Sequence, residues 1–161
     1  MTYLLDSNIF IEAKNRHYGF DVVPGFWEWL DDAHGRGIVH SVNRVRDELL
    51  GSGDELTDWA KDRPDLFLPP DDDVVYSLRD LATWATSWDY DEGAVNTFFQ
   101  GADAYLVAHA HAHSLTVVTH EVAANTPTKI KIPNACDGMM VAHCPPFTML
   151  RTEGARFVLG G

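Results

Sequence analysis

Four acidic residues far apart in the chain, Asp6, Glu48, Asp103 and Glu121, occupy comparable places and are the residues able to do chemistry together. Carboxylates packed into one cleft repel each other, and burial raises that cost. A divalent cation removes it. Oxygen ligands select a hard ion, Mg²⁺ or Mn²⁺, which keeps several waters and takes substrate phosphates as further ligands. Such a set suits phosphodiester hydrolysis, in which a metal-activated water attacks and no side-chain nucleophile is required. All four acids are expected to act as catalytic metal ligands, directly or through water. Ser7 and Asn8 either support Asp6 by hydrogen bonding or cap the local turn, and Thr119 either orients a ligand or ends its strand. Asp47 rivals Glu48, since adjacent helix positions point to different faces. His120 reads as a base, a phosphate contact or an exposed loop residue.

The elements that must position these acids follow from period and punctuation. Tyr3, Leu4 and Leu5 form an apolar run that ends in Asp6, with Ser7 or Asn8 able to cap a helix whose face is Ile9, Phe10, Ala13 and His17. Pro24 suits the first turn of a second helix carrying Phe26, Trp27, Trp29, Leu30 and Ala33, which Gly35 and Gly37 close. Residues 38–40 read as a short strand, with Ser41 capping a helix over 42–50 that carries Glu48. Helices are expected over 54–61, 71–87 and 92–99, with a short edge strand at 66–68. A helix opens at Gly101 and runs to His113, followed by a buried strand over 115–119 and a late strand over 129–132 stopped by Pro133. Short helices over 135–143 and 146–152 precede a last strand at 156–159. Strands alternating with helices predict an α/β chain with a mostly parallel central sheet flanked by helices, in a single domain over 1–161. In such sheets ligands gather at the carboxyl ends of strands, where Asp6 and Glu121 fall.

A chain of 161 residues with 45% hydrophobic and 22% charged residues is long enough for one domain with a sizeable core. Its 24 acidic and 12 basic residues leave a formal charge of −12, which argues against a general nucleic-acid coat. An enzyme that meets phosphate through metal, or a protein that docks on a basic partner, remains compatible. Lys14, Arg16, Arg44 and Arg46 are the candidate RNA contacts, with Lys129 and Lys131 beside them. No apolar run approaches the roughly 20 residues of a membrane helix, and the first residues do not read as a signal peptide. No membrane association and a cytoplasmic location are expected. Cys136 and Cys144, even with His143, lack the spacing of a zinc site. His109 and His113 share a helix face but are expected on a solvated edge. The tryptophans at 27, 29, 59, 84 and 88 read as core and helix-packing residues, with an exposed pair able to stack on bases.

Taken together, "LLDSN", "RDEL" around Glu48, "GADAYLVAHA" around Asp103 and "LTVVTHE" around Glu121 resemble the PIN domain. The extension "FIEAKNRHYGFDVVPGFWEWL" and the segment "KIPNAC" look like an uncharacterised PIN-like subfamily, so that nearly the whole chain is covered. The resemblance implies a metal-dependent ribonuclease similar to the toxin of a VapC-type toxin–antitoxin pair, held inactive by a cognate antitoxin and often dimeric. Asp6, Glu48 and Asp103 match that family's first three acidic positions, and Thr119 with Glu121 matches its Thr-x-Asp step with Glu for Asp. Two other functions compete. A catalytically decayed PIN-like binding module would keep the fold without the metal. A haloacid-dehalogenase-type phosphatase would use Asp6 as nucleophile, although Asn8 stands where that class has a second aspartate and no lysine follows at a strand end.

Overall fold

Tyr3, Leu4 and Leu5 are all buried because β1 (Tyr3–Leu5) is a central strand of a parallel sheet whose two faces are covered by helices. The computed structural model describes residues 1–159. Its five strands lie in the order β3 (Phe67–Leu68), β2 (Val39–Val42), β1, β4 (Thr116–Val118), β5 (His143–Cys144), and every pairing among them is parallel. Leu4 lies opposite His40 on one side and Val117 on the other. The expected α/β architecture holds, with the sheet wholly parallel among the described residues.

Helices supply the cover that a parallel sheet requires. After β1 come α1 (Ser7–Glu12), which passes into a π-helical turn at Ala13–His17, and α2 (Pro24–Gly35). Phe26, Trp27, Leu30 and Ala33 bury the inner side of α2, as their spacing predicts. Next are α3 (Asn43–Leu50), α4 (Glu55–Lys61), α5 (Asp72–Ser87) and α6 (Glu92–Gln100). Asp54 and Asp71 cap α4 and α5, accepting from Leu56, Thr57 and Val74 backbone N–H groups. The helix that carries Asp103, α7 (Ala102–His113), is buried almost all round and packs on α5. At the far end α8 (Ile132–Gly138) also reaches α5, and any side chain at Gly138 would run into the Trp84 indole. A last helix, α9 (Pro146–Thr152), is followed by Glu153, which accepts the Tyr3 hydroxyl at 2.9 Å.

Several expectations require correction. Neither Ser7 nor Asn8 caps α1: Asp6 holds the cap position and Ser7 is buried inside the helix. Ser41 lies inside β2 rather than at a helix start, because its hydroxyl donates to Leu5 O at 2.6 Å and so belongs to the sheet. The alternating 129–132 segment is not a strand. Lys131 caps α8, and Pro133 sits in that helix's first turn, where its missing N–H costs nothing. Residues 156–159 form no strand; Phe157 instead packs edge-on against Tyr18 and Phe26. His109 is 1% exposed, not solvated, because α7 runs through the core.

Candidate metal centre

Asp6 follows directly on β1, and its backbone N–H donates to Val118 O at 3.0 Å, prolonging the ladder with β4 by one rung. Its carboxyl group is therefore held at the carboxyl edge of the sheet, and it is 1% exposed. The side chain makes no bond to the amides of α1. Thr119, one residue past β4, donates its hydroxyl to Asp6 Oδ2 at 3.0 Å. The Ser7 hydroxyl lies 3.4 Å from Oδ1. The Thr119 oxygen in turn accepts the backbone N–H of Glu121 at 3.1 Å. A single threonine thus joins the first acid to the segment carrying the last. Glu121 Oε1 accepts the N–H of Ile132, at the start of α8, at 3.2 Å.

The other two acids come from helices. Asp103 lies in the first turn of α7, half-buried, and no side-chain cap bond forms at that helix start. Glu48 lies in α3 and is exposed. Asp6 feels the charges of Glu121 and Glu48, and Asp103 those of Asp6, Glu121 and Glu48. Burial first, then the charges of Glu121 and Glu48, push Asp6 up to about 6 against the opposing hydrogen bond from Thr119. Burial again comes first for Asp103, followed by Asp6, Glu121 and Glu48, and together they push it up to about 7; Lys129 opposes them. Glu48 rather than its neighbour Asp47 is the α3 acid that acts on Asp6 and Asp103.

Among the described residues no three His, Cys, Asp or Glu side chains stand close enough together to hold a metal ion between them. One Glu121 oxygen is engaged by the Ile132 N–H. The donors nonetheless fit a hydrated hard cation. They are oxygens only, two of them have their acid dissociation suppressed by their neighbours, and Mg²⁺ commonly needs only one or two carboxylates besides water.

The remaining candidates are less available. Lys14 pairs with Asp54 at 2.7 Å and Arg16 with Glu12 at 3.1 Å. Arg44 lies over the Tyr105 ring and donates to its hydroxyl, and Arg46 donates to the carbonyls of Ala60 and Lys61. None of these four figures among the charges acting on Asp6 or Asp103, whereas Lys129 does. His120 is half-buried rather than an exposed loop residue, its ring 5.9 Å from that of His17. Asn8 is exposed. Sequence reasoning passed over Asn134, whose carbonyl accepts the Ala124 N–H at 3.0 Å; nothing in the local pattern marks it.

Comparison with solved structures returns chains of this architecture. FitAcB from Neisseria gonorrhoeae is 20% identical, with 91% of this chain and 99% of that one aligned at a TM-score of 0.55. FitAB bound to an IR36 DNA fragment is 21% identical over 91% and 96% of the two chains, TM-score 0.54. VapBC2 from Rickettsia felis, bound to a DNA fragment from their promoter, is 18% identical over 90% and 98%, TM-score 0.54. At these identities the likeness shows the fold, which is PIN-like. Comparison with curated protein sequences gives no match. The family signature described as "Domain of unknown function (DUF4411)" matches residues 3–157, and the chain is a member of that family, built on a PIN-like α/β domain.

Proposed function

We propose that this chain is a ribonuclease dependent on Mg²⁺ or Mn²⁺, acting as the toxin of a toxin–antitoxin pair. The observation that carries the reading is the convergence of acids at the sheet's carboxyl edge, where Thr119 holds Asp6 and where burial, with Glu121 and Glu48, raises both Asp6 and Asp103. Buried acids that repel one another at a sheet's carboxyl edge are unfavourable for stability and suited to a cation. Asp6 and Asp103 would hold the ion, with Glu48 and Glu121 reaching it directly or through water. When bound, such an ion lowers the pKa of its water and offsets charge on phosphoryl oxygens. Thr119 keeps the Asp6 carboxylate in one orientation, and its bond to the Glu121 N–H keeps that segment in register. Lys129, whose charge opposes the acids at Asp103, would meet the phosphate of the substrate. The PIN-like fold shared with FitAcB and VapBC2 supports a cognate antitoxin as partner; a second copy of the chain as a further partner rests on the resemblance to VapC-type toxins. RNA as the substrate rests on the resemblance to VapC-type toxins.

The test is cleavage of total RNA by the wild type in Mg²⁺ or Mn²⁺, compared with EDTA and with Asp6→Asn and Asp103→Asn. Cleavage that needs metal and disappears in both variants is expected. Activity persisting in both would remove the mechanism. A wild type that neither cleaves RNA nor gains thermal stability from Mn²⁺ would leave the binding-module reading, which the engagement of Glu121 by Ile132 favours.

A further inference from the structure

The segment leaving Glu121 forms one wall of a cavity of about 510 Å³, whose lining includes Trp88, Asp89, Tyr90, Asn125, Thr126 and Asn134. We infer that this cavity receives an unstacked base of single-stranded RNA, guanine by preference, adjoining the carboxylate site; the inference rests on the nuclease reading. Its size falls within the range of small-ligand sites, which run from roughly 300 to 1,000 Å³. Trp88 is 63% exposed at the end of α5, where it contributes nothing to the core and offers a ring face for stacking.

The polar lining matches a base edge. Asn134 accepts the Ala124 N–H with its carbonyl, which leaves its NH₂ group to donate. Asn125 adds both a donor and an acceptor, while the Thr126 hydroxyl is engaged by the Thr128 hydroxyl and N–H. Asp89 accepts only, so it favours a base presenting adjacent N–H donors. Guanine does so through N1–H and its 2-amino group, whereas uracil presents one N–H between two carbonyls. With a formal charge of −12, phosphate attraction is weak over most of this surface, and base contacts must supply much of the affinity.

The cavity is pinned to the carboxylate site by backbone N–H groups that donate to side-chain oxygens of Glu121 and Asn134. Glu121 accepts from Ile132, and two residues further along the same helix Asn134 holds Ala124. On the other side Pro127 O accepts the Asp91 N–H at 2.9 Å, one residue after Tyr90. Lys129, which acts on Asp103, follows two residues after Pro127. A base seated against Trp88 would therefore leave its backbone running along this segment towards the acids.

The experiment uses wild-type protein in EDTA, so that neither metal nor cleavage enters. GMP, AMP, CMP, UMP and ribose 5-phosphate are titrated while the Trp88 indole N–H resonance is followed. GMP is expected to move that resonance and to bind about tenfold tighter than UMP, while ribose 5-phosphate leaves it in place. Trp88→Ala and the second, exposed-site variant Asn125→Ala, both with parental melting temperatures, are expected to weaken GMP binding, the former about tenfold. Asp89→Asn is expected to erase the preference for GMP over UMP. The inference is overturned if GMP acts no differently from ribose 5-phosphate, if UMP binds as well as GMP, or if both Trp88→Ala and Asn125→Ala bind GMP like the wild type. Any of these results leaves the metal-dependent cleavage assay untouched, and failure of that assay leaves this titration readable.

Discussion

Replacing Asp6 by asparagine removes a charge that the fold holds against burial and against Glu121 and Glu48. An acid held at about 6 instead of its ordinary 3.8 is ionised at pH 8 at a cost of about 3 kcal/mol relative to the unfolded chain. Asparagine has the same shape: its carbonyl can accept from Thr119, and its NH₂ group faces the Ser7 hydroxyl. In metal-free buffer at pH 8 the variant is expected to be the more stable protein, by up to about 3 kcal/mol. For a domain of this size that is a rise in melting temperature of roughly 6 to 12 °C at most. The pH dependence has a definite sign. Between 3.8 and about 6 the folded protein keeps the Asp6 proton that the unfolded chain has lost, so wild-type stability falls as pH rises through that window. Asp103, held at about 7, extends the fall towards neutrality. The gap between variant and wild type should therefore close below pH 4. Saturating Mn²⁺ should reverse the order, since a ligand at a thousandfold excess over its Kd stabilises by about 4 kcal/mol and the variant has lost a ligand. The assay is thermal unfolding over pH 4–8 with and without Mn²⁺. A variant less stable than wild type at pH 8 without metal, and no crossing when Mn²⁺ is added, would refute the reasoning.

Thr119→Val removes the donor to Asp6 and the acceptor for the Glu121 N–H; a loss of about 1 to 3 kcal/mol in urea unfolding and at least about tenfold weaker Mn²⁺ binding by calorimetry are expected. Both ring nitrogens of buried His109 lack a partner among the described residues, so His109→Leu is expected to raise the urea midpoint by an amount equivalent to about 1 to 3 kcal/mol. Burial holds His109 down at about 4, so its contribution to stability is lost as pH falls from 6.5 through 4, opposite in sign to the acids; the leucine variant should lose that part of the acid sensitivity in the same unfolding series. Gly138→Ala forces a methyl group against the Trp84 indole, and a lower denaturant midpoint corresponding to about 1 to 3 kcal/mol is expected, with α5 and α8 moving apart.

What was legible in the sequence was whatever depends on neighbours along the chain. The apolar run at 3–5 and the three-to-four spacing of α2 and α5 state locally what they become. The acids at strand and helix ends were visible for the same reason, and Thr119 and Glu121 two residues apart already implied a shared segment. Local pattern failed where a distant partner decided. Ser41 carries a helix-cap signal, yet its hydroxyl meets Leu5 O across the sheet. The alternating residues 129–132 carry a strand signal, but no strand pairs with them and Pro133 starts a helix there instead. Lys14, Arg44 and Arg46 are basic in any reading, and only their partners show how little of that charge is free. The sequence by itself determined an α/β chain with acids at its strand and helix ends. The approach of those acids, the burial that raises Asp6 and Asp103, and the cavity beside Trp88 came only from the tertiary structure, because desolvation and Coulomb energy depend on distances between residues as much as 115 positions apart, as Asp6 and Glu121 are (121 − 6 = 115).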